Sequence, residues 1–387
     1  MVAAFKPEDA NDTRSSSEEE DAQGSDEGEE ERRYGAVERT PCVVHTLQLV
    51  LNLMGKEPTV KRLLDKARNV VQLFRKSSVA KQRLLEQCGL TVIKDCPTRW
   101  LTTHQMVSRL LDLQEPLTQV GENMGWDCLL PREWQQMAVL RDLLLPFAEH
   151  TNMLQSDTNS LSLVVPALLD LKIHLSQFSQ AQIRTYKHLA VLAKKIAANM
   201  EQRFSCFICP KDPKFSPLAA AACFLDATVA VEALIGNKEE NIKELLKKAE
   251  HFLHVTAHPG MQGDDGEEQE RLEAPPAKRS RFRFLSKNCP PRPSTSSIGS
   301  IRQEIRKYRE DLSQQEITHN KGMEFWLTQS STIYPQLKPL ALDLLAMPAS
   351  QAFAERVFSA TGGLTCCHRN RARLTLERSA FLKMNHK

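Results

Sequence analysis

From Cys42 to about residue 256, apolar side chains return every three or four residues, the spacing of one face of an α-helix. Val43, Leu47, Val50, Leu51 and Met54 form one stripe, and Val60, Leu63, Leu64, Val71 and Phe74 form the next within 59–86. A long helical stretch opens at Trp100, with Met106, Leu110, Leu113 and Leu117 on one face. Pro131 falls where a first helical turn tolerates the missing N–H, ahead of Trp134, Met137, Leu140, Leu144 and Phe147. The spacing predicts further helices at about 160–178, 184–205 and 238–255. Leu90–Ile93, short, β-branched and set between Gly89 and Pro97, reads as a strand.

Two stretches lose this periodicity. Residues 7–40 hold Ser15, Ser16 and Ser17 and then nine acidic side chains and no basic one between Glu18 and Glu31. Such a segment cannot bury enough apolar surface to offset chain entropy, so disorder is expected, and the acidic run reads as solvated. Residues 257–300 are rich in Gly, Pro and Ser and read as a disordered linker. Beyond it, Ile301–Leu312 reads as a charged, exposed helix. Phe325 and Trp326 open a short helix that Tyr334-Pro335 breaks, and Leu337, Leu340, Ala341, Leu344 and Leu345 form another that Pro348 stops. Ala349, Ala352, Phe353, Arg356, Val357 and Ala360 describe an amphipathic helix closing at Gly362-Gly363, and Thr375 is a suitable N-cap for a last helix bearing Phe381 and Leu382. The chain thus divides into an acidic segment (1–40), a helical region (41–256), a linker (257–300) and a C-terminal region (301–387).

Composition narrows the class. With 41% hydrophobic and 26% charged residues, the 387-residue chain can build a sizeable core. Its net charge of +3 conceals asymmetry: residues 355–387 carry seven Lys or Arg against two Glu. Ten cysteines in a chain of this length do not make a disulfide framework, Met1–Lys6 lacks the apolar start of a signal peptide, and the thiols are expected reduced and intracellular. No run of spanning length is apolar throughout, so no membrane span is expected.

The order Pro348-Ala349-Ser350, Glu355-Arg356-Val357-Phe358-Ser359-Ala360, Gly362, then Arg371-Ala372-Arg373-Leu374 and Phe381-Leu382-Lys383-Met384-Asn385 is long and specific. It resembles the C-terminal dimerisation region of hAT-superfamily transposases and their domesticated zinc-finger BED-type relatives. Cys42-Val43-Val44-His45-Thr46-Leu47 resembles the family's C-x-x-H-x-L helix, and Thr98-Arg99-Trp100 its T-R-W element. Phe224-Leu225-Asp226 resembles its L-D-P element, with Ala227 replacing the proline.

The resemblance implies dimerisation through Phe353, Arg356, Val357, Phe358, Leu374, Phe381 and Leu382, as a homodimer or with related hAT-type chains. It also implies a ribonuclease-H-like nuclease in which three carboxylates hold two divalent metals. Glu355 matches the third carboxylate. The second would stand in an Asp-Asn motif just before the Cys42 helix, where Met1–Phe5 looks like the residues that follow it, and Asp9, Asp12, Asp21 and Asp26 lack a strand to sit on. The first carboxylate and the BED finger would lie further upstream. The expected fold is therefore mainly α: a truncated ribonuclease-H-like domain with a helical insertion and at most one or two residual strands. The expected function is that of a catalytically inactive, transposase-derived nuclear protein, with Glu355 a relic, no cofactor and dimerisation as the retained activity. The alternatives are a DNA-binding, transcription-associated regulator and a metal-dependent transposase.

Other candidates carry less. Cys42 and His45 share a helical face and could ligate zinc, but neither Cys206 and Cys209 nor Cys366, Cys367 and His368 completes a site, so they read as a buried pair and no metal is expected. Trp100 could stack on an extruded base; packing at a helix start is the preferred reading. Lys278, Arg279, Arg281 and Arg283 lie in the linker and suit nuclear import as well as simple solvation. Arg369, Arg371 and Arg373 could face phosphates, although DNA contact without a finger would be weak.

Overall fold

A computed structural model describes residues 41–156, 160–257, 301–314, 319–365, 375, 377–379 and 381–382. The acidic run, the basic cluster Lys278–Arg283, residues 366–374 with Leu374, and Lys387 lie outside these residues.

Helix α1, Val43–Leu51, buries the predicted stripe Val43, Leu47, Val50 and Leu51. The periodic stretch after it resolves into α2, Pro58–Lys76, and α3, Ser78–Cys88. Ser77 makes the break: its backbone is extended and its hydroxyl accepts the Ala80 N–H at 3.2 Å, capping α3. Gly89, at φ +69°, ends α3 in the left-handed conformation that glycine adopts without strain. The stretch from Trp100 also divides, into α4, Trp100–Asp112, and α5, Gln114–Asn123. Pro116 cannot donate the bond that would reach back to Asp112, so the ladder stops there. Helix α6, Pro131–Leu154, starts at Pro131 as predicted, with the Glu133 carboxylate accepting the Leu130 N–H at 2.8 Å.

Helices α7, Val164–Gln182, and α8, Lys187–Arg203, pack along each other; α9, Ser205–Ile208, is a single turn. Leu161–Gln182 has the length and mean hydropathy, 1.3, of a membrane span, yet half of that window is buried inside the fold, including Val165, Leu168, Leu171 and Leu175. It also carries Asp170 and Lys172, as core helices of this length do more readily than spans. Then come α10, Leu218–Leu225, and α11, Glu240–Ala257. The C-terminal elements are α12, Ile301–Gln314; α13, Gly322–Thr328; α14, Leu337–Ala346; and α15, Ala352–Thr365.

Three expectations are corrected. Leu90–Ile93 forms no strand, because no neighbouring strand offers a ladder among the described residues; instead Arg109 Nη1 donates to Thr91 O at 3.0 Å. The only β-pairing among the described residues is a lone antiparallel bridge between Ser160 and Pro348. Helix α12 is not an exposed helix, since Ile301, Glu304, Ile305, Tyr308 and Leu312 turn a full face inward. Helix α15 does not close at Gly362-Gly363 but runs on to Thr365.

The core gathers on α10, which is buried from Ala219 to Leu225. Its run of alanines lets neighbouring helices approach closely. Tyr308 of α12 stands edge-on to Phe224 of α10 at 5.4 Å between ring centroids, and lies 5.0 Å from Trp326 of α13. Trp326 Nε1 donates to Leu225 O at 2.6 Å, so the largest indole of the C-terminal region has its polar atom satisfied inside the core. Glu304 accepts the Gln336 and Leu337 N–H groups at 3.1 and 2.8 Å, a carboxylate against the N-terminus of α14. Residues on both sides of the 258–300 segment therefore contribute to one hydrophobic cluster.

Candidate functional site

Three sequence motifs that lie far apart along the chain meet in one cleft of about 560 Å³. Helix α1 contributes Cys42, Val44, His45 and Gln48. The turn at Thr98 and Arg99 and the start of α4 form a second wall, the end of α6 supplies Thr151 and Gln155, and α15 supplies Ala352, Glu355, Arg356 and Ser359.

Local chemistry explains the turn. Arg99 N–H donates to Cys96 O at 2.8 Å, while Thr102 Oγ1 accepts from Cys96 N at 2.8 Å and donates to the Arg99 carbonyl at 2.7 Å. The hydroxyl and N–H of Thr98 stabilise the Cys96 thiolate and hold that thiol below its ordinary value. Gln48 joins the two motif helices, its Oε1 accepting the Trp100 N–H at 3.3 Å and its Nε2 donating to Asn52 Oδ1 at 3.0 Å. The Trp100 ring is 4% exposed and meets Phe147 edge-to-face at 6.5 Å, so the indole is a core group that closes the cleft from below.

His45 is exposed, which corrects the expectation of a buried Cys–His pair; its Nδ1 lies 3.9 Å from Glu355 Oε1, and the two side chains are 68% and 63% exposed. The outward face of α1 carries the imidazole, while Val43 and Leu47 take the inward one. Arg99 is likewise exposed. Beneath them Thr151, 2% exposed, has a hydroxyl with no hydrogen-bond partner among the described residues, a polar floor to the cleft that periodicity could not mark.

These donors do not fit a two-metal centre. Among the described residues Glu355 is the only carboxylate lining the cleft, and two hard divalent ions ask for several oxygen ligands. Among the described residues no group of three or more His, Cys, Asp or Glu side chains is placed to hold a metal ion. Asp95, the nearest acidic residue to the T-R-W element in sequence, is 6% exposed and committed to Arg68.

Arg356 lines the cleft; the other described dimerisation candidates sit elsewhere on the same helix and beyond it. Phe353 and Phe358 of α15 are 52% and 59% exposed, Val357 is half-buried and Arg356 is exposed. Phe381 and Leu382 are 67% and 62% exposed.

Residues 304–384 match the model of the hAT family C-terminal dimerisation region. The chain is also similar to the human (Homo sapiens) protein described as zinc finger BED domain-containing protein 4, at 21% identity over 364 residues. That match covers 89% of this chain and 29% of the relative, so the chain spans less than a third of the relative's length. These two matches support a hAT-superfamily, transposase-derived origin for the chain, with the likeness to the family's C-terminal dimerisation region confined to residues 304–384.

Proposed function

We propose that the chain acts by associating with a second chain, of its own kind or of a related hAT-type protein, and not by cutting DNA. The observation that carries this reading is the face of α15. Phe353, Ala354, Val357 and Phe358 spread over an arc of about 140°, at 100° per residue, and both phenylalanines are more than half exposed. Large aromatic side chains left this open lie in the segment matched by the dimerisation model, and such apolar patches mark association surfaces. Phe381 and Leu382 extend the interface, with Leu374 between the two helices in sequence and Arg356 at its edge.

The cleft supports loss of catalysis, since among the described residues no second carboxylate joins Glu355 in lining it. Glu355 serves as a relic beside a working interface. Lys278, Arg279, Arg281 and Arg283 direct the protein to the nucleus as a basic import signal.

Light scattering after size-exclusion chromatography tests the association. The intact chain is expected at twice its own mass, and Phe353→Asp with Phe358→Asp at the monomer mass with unchanged helical circular dichroism, because a carboxylate cannot be buried unpaired at a dimer contact. A strictly monomeric intact chain overturns self-association, and one that also fails to shift in mass when mixed with a related hAT-type chain overturns the reading. Terminal-repeat DNA cleavage with magnesium or manganese that vanishes in Glu355→Ala overturns the claim of inactivity.

A further inference from the structure

A second concave surface lies well outside the motif cleft. Helices α11 and α12 flank a groove of about 640 Å³. From α11 it is lined by Lys247, His251 and His254, and from α12 by Arg302, Arg306 and Arg309. Both sets recur every three or four residues, so each helix turns one rail of nitrogen-bearing side chains toward the trough. At 1.5 Å rise per residue the three arginines extend over about 10 Å.

The electrostatics favour an anion. Four permanent cations line the groove against two carboxylates, Glu250 and Glu310. Glu250 is spent on Arg309, whose Nη1 is 3.1 Å from its Oε1. Lys247, Arg302 and Arg306 form no ion pair among the described residues, although all three are exposed and within reach of the trough. Unneutralised guanidinium groups in a row are costly to hold together without a counter-charge.

The lining also narrows the kind of anion. Among the described residues no Phe, Tyr or Trp lines the groove, so unpaired bases find no large ring to stack on, only the small imidazoles of His251 and His254. Its apolar contribution is Ile305, which is 7% exposed, so there is no open pocket to anchor a peptide side chain. What remains is a set of charge-assisted donors, with the Ser313 hydroxyl continuing the α12 rail. Such a set suits phosphate oxygens spaced along a backbone and reads no base.

We propose that the α11–α12 groove is a sequence-independent contact for the phosphate backbone of double-stranded DNA. Arg302 and Arg306 bind phosphates directly, Lys247 does so from the opposite rail, and Arg309 is held in place by Glu250. This surface is separate from the α15 face and needs no finger.

The test uses the full chain and a fluorescent mixed-sequence duplex, with binding followed by anisotropy over a salt series. Each phosphate neutralised adds about −0.9 to the slope of log K against log salt. Arg302→Glu with Arg306→Glu is expected to weaken binding at least about tenfold and to shallow the slope by about 2, equally on unrelated duplexes. The same variant is expected to keep its mass by light scattering and its helical circular dichroism, so failure here is distinguishable from failure of dimerisation. Unchanged affinity and slope in the variant, or no measurable duplex binding by the intact chain, overturns the proposal. So does polyglutamate that binds as tightly as duplex and loses as much in the variant, which would assign the groove to acidic peptide instead.

Discussion

Arg68 and Asp95, 27 residues apart, are locked together: Arg68 Nε and Nη2 stand 3.0 and 2.8 Å from Asp95 Oδ2. Thr103 adds a third donor to the same oxygen at 3.0 Å. The Asp95 side chain is 2% exposed and that of Arg68 29%, so the carboxylate depends on its partners while the guanidinium retains access to water and to Asp65. The pair pins the irregular 90–96 segment to α2 and so sets where the T-R-W turn begins. Arg68→Leu is expected to cost about 3 kcal/mol, because it strands a buried charge. Asp95→Asn should cost about 1–2 kcal/mol, and Arg68→Leu combined with Asp95→Leu less than Arg68→Leu alone. Urea unfolding of the three variants checks the ranking, and an equal loss in both single variants contradicts it.

Gly322 opens α13 against Asp226. A Cβ built there meets Asp226 Oδ1 at 2.3 Å. The carboxylate cannot swing aside, since it accepts from Ser162 Oγ at 2.5 Å and from Thr228 N and Oγ1 at 3.1 and 2.6 Å. Helix propensity alone would make Gly322→Ala stabilising by about 1 kcal/mol. The clash reverses the sign, and a loss of about 1–3 kcal/mol is expected in thermal melts. A melting temperature equal to or above that of the parent refutes it.

His104 gives the fold an acid limit. Among the described residues its Nε2 is buried without a partner, and burial, with the Arg141 charge adding to it, pushes the imidazole below its ordinary value. His188 is shifted the same way, first by burial and then by Arg132. The folded chain therefore binds fewer protons at these sites than the unfolded chain. Their contribution is complete above about pH 6.5 and is lost as pH falls through the depressed folded-state values. His104→Leu with His188→Leu should flatten the decline in melting temperature between about pH 6.5 and 5. An unchanged slope rules this origin out.

Two neighbours in the motif cleft should respond in opposite ways to mutation. Glu355→Gln removes a water-exposed partner of His45, and stability should stay within about 0.5 kcal/mol of the parent. Trp100→Ala empties a core position against Phe147 and should cost about 3–5 kcal/mol. A stability-neutral Trp100→Ala would show that the indole does not hold α4 in place.

Helix existence was legible because the apolar stripes of α1, α2, α6 and α7 repeat faithfully, and Pro131 marked a start in the expected place. The interruptions were less legible. Ser77 and Leu113 divide stretches whose stripes continue without a visible gap, because a cap or a missing N–H acts on the backbone and leaves side-chain periodicity intact. The α12 face was hidden by its charges: Arg302, Arg306 and Arg309 fill the outward positions so densely that Ile301, Ile305, Tyr308 and Leu312 are easily overlooked. In the cleft, Cys42, His45, Arg99, Trp100 and Glu355 were each recognisable as motif residues. That Gln48 would link two of the motifs and Thr151 would floor the space was not, since neither belongs to a pattern that spacing can reveal.

The bridge between Ser160 and Pro348 has a mechanical consequence. Leu161 N–H also donates to Met347 O at 2.8 Å, so the connection leading into α15 is stitched to the entry of α7. Ser160 Oγ touches Ser162 Oγ at 2.5 Å, and Ser162 in turn holds Asp226. If a second chain grips α15 as proposed, it would pull on a stitched seam, not on a loose tail. Such a load would enter the molecule through the buried Ser162–Asp226 contact, where a tug on the surface becomes a strain on the centre.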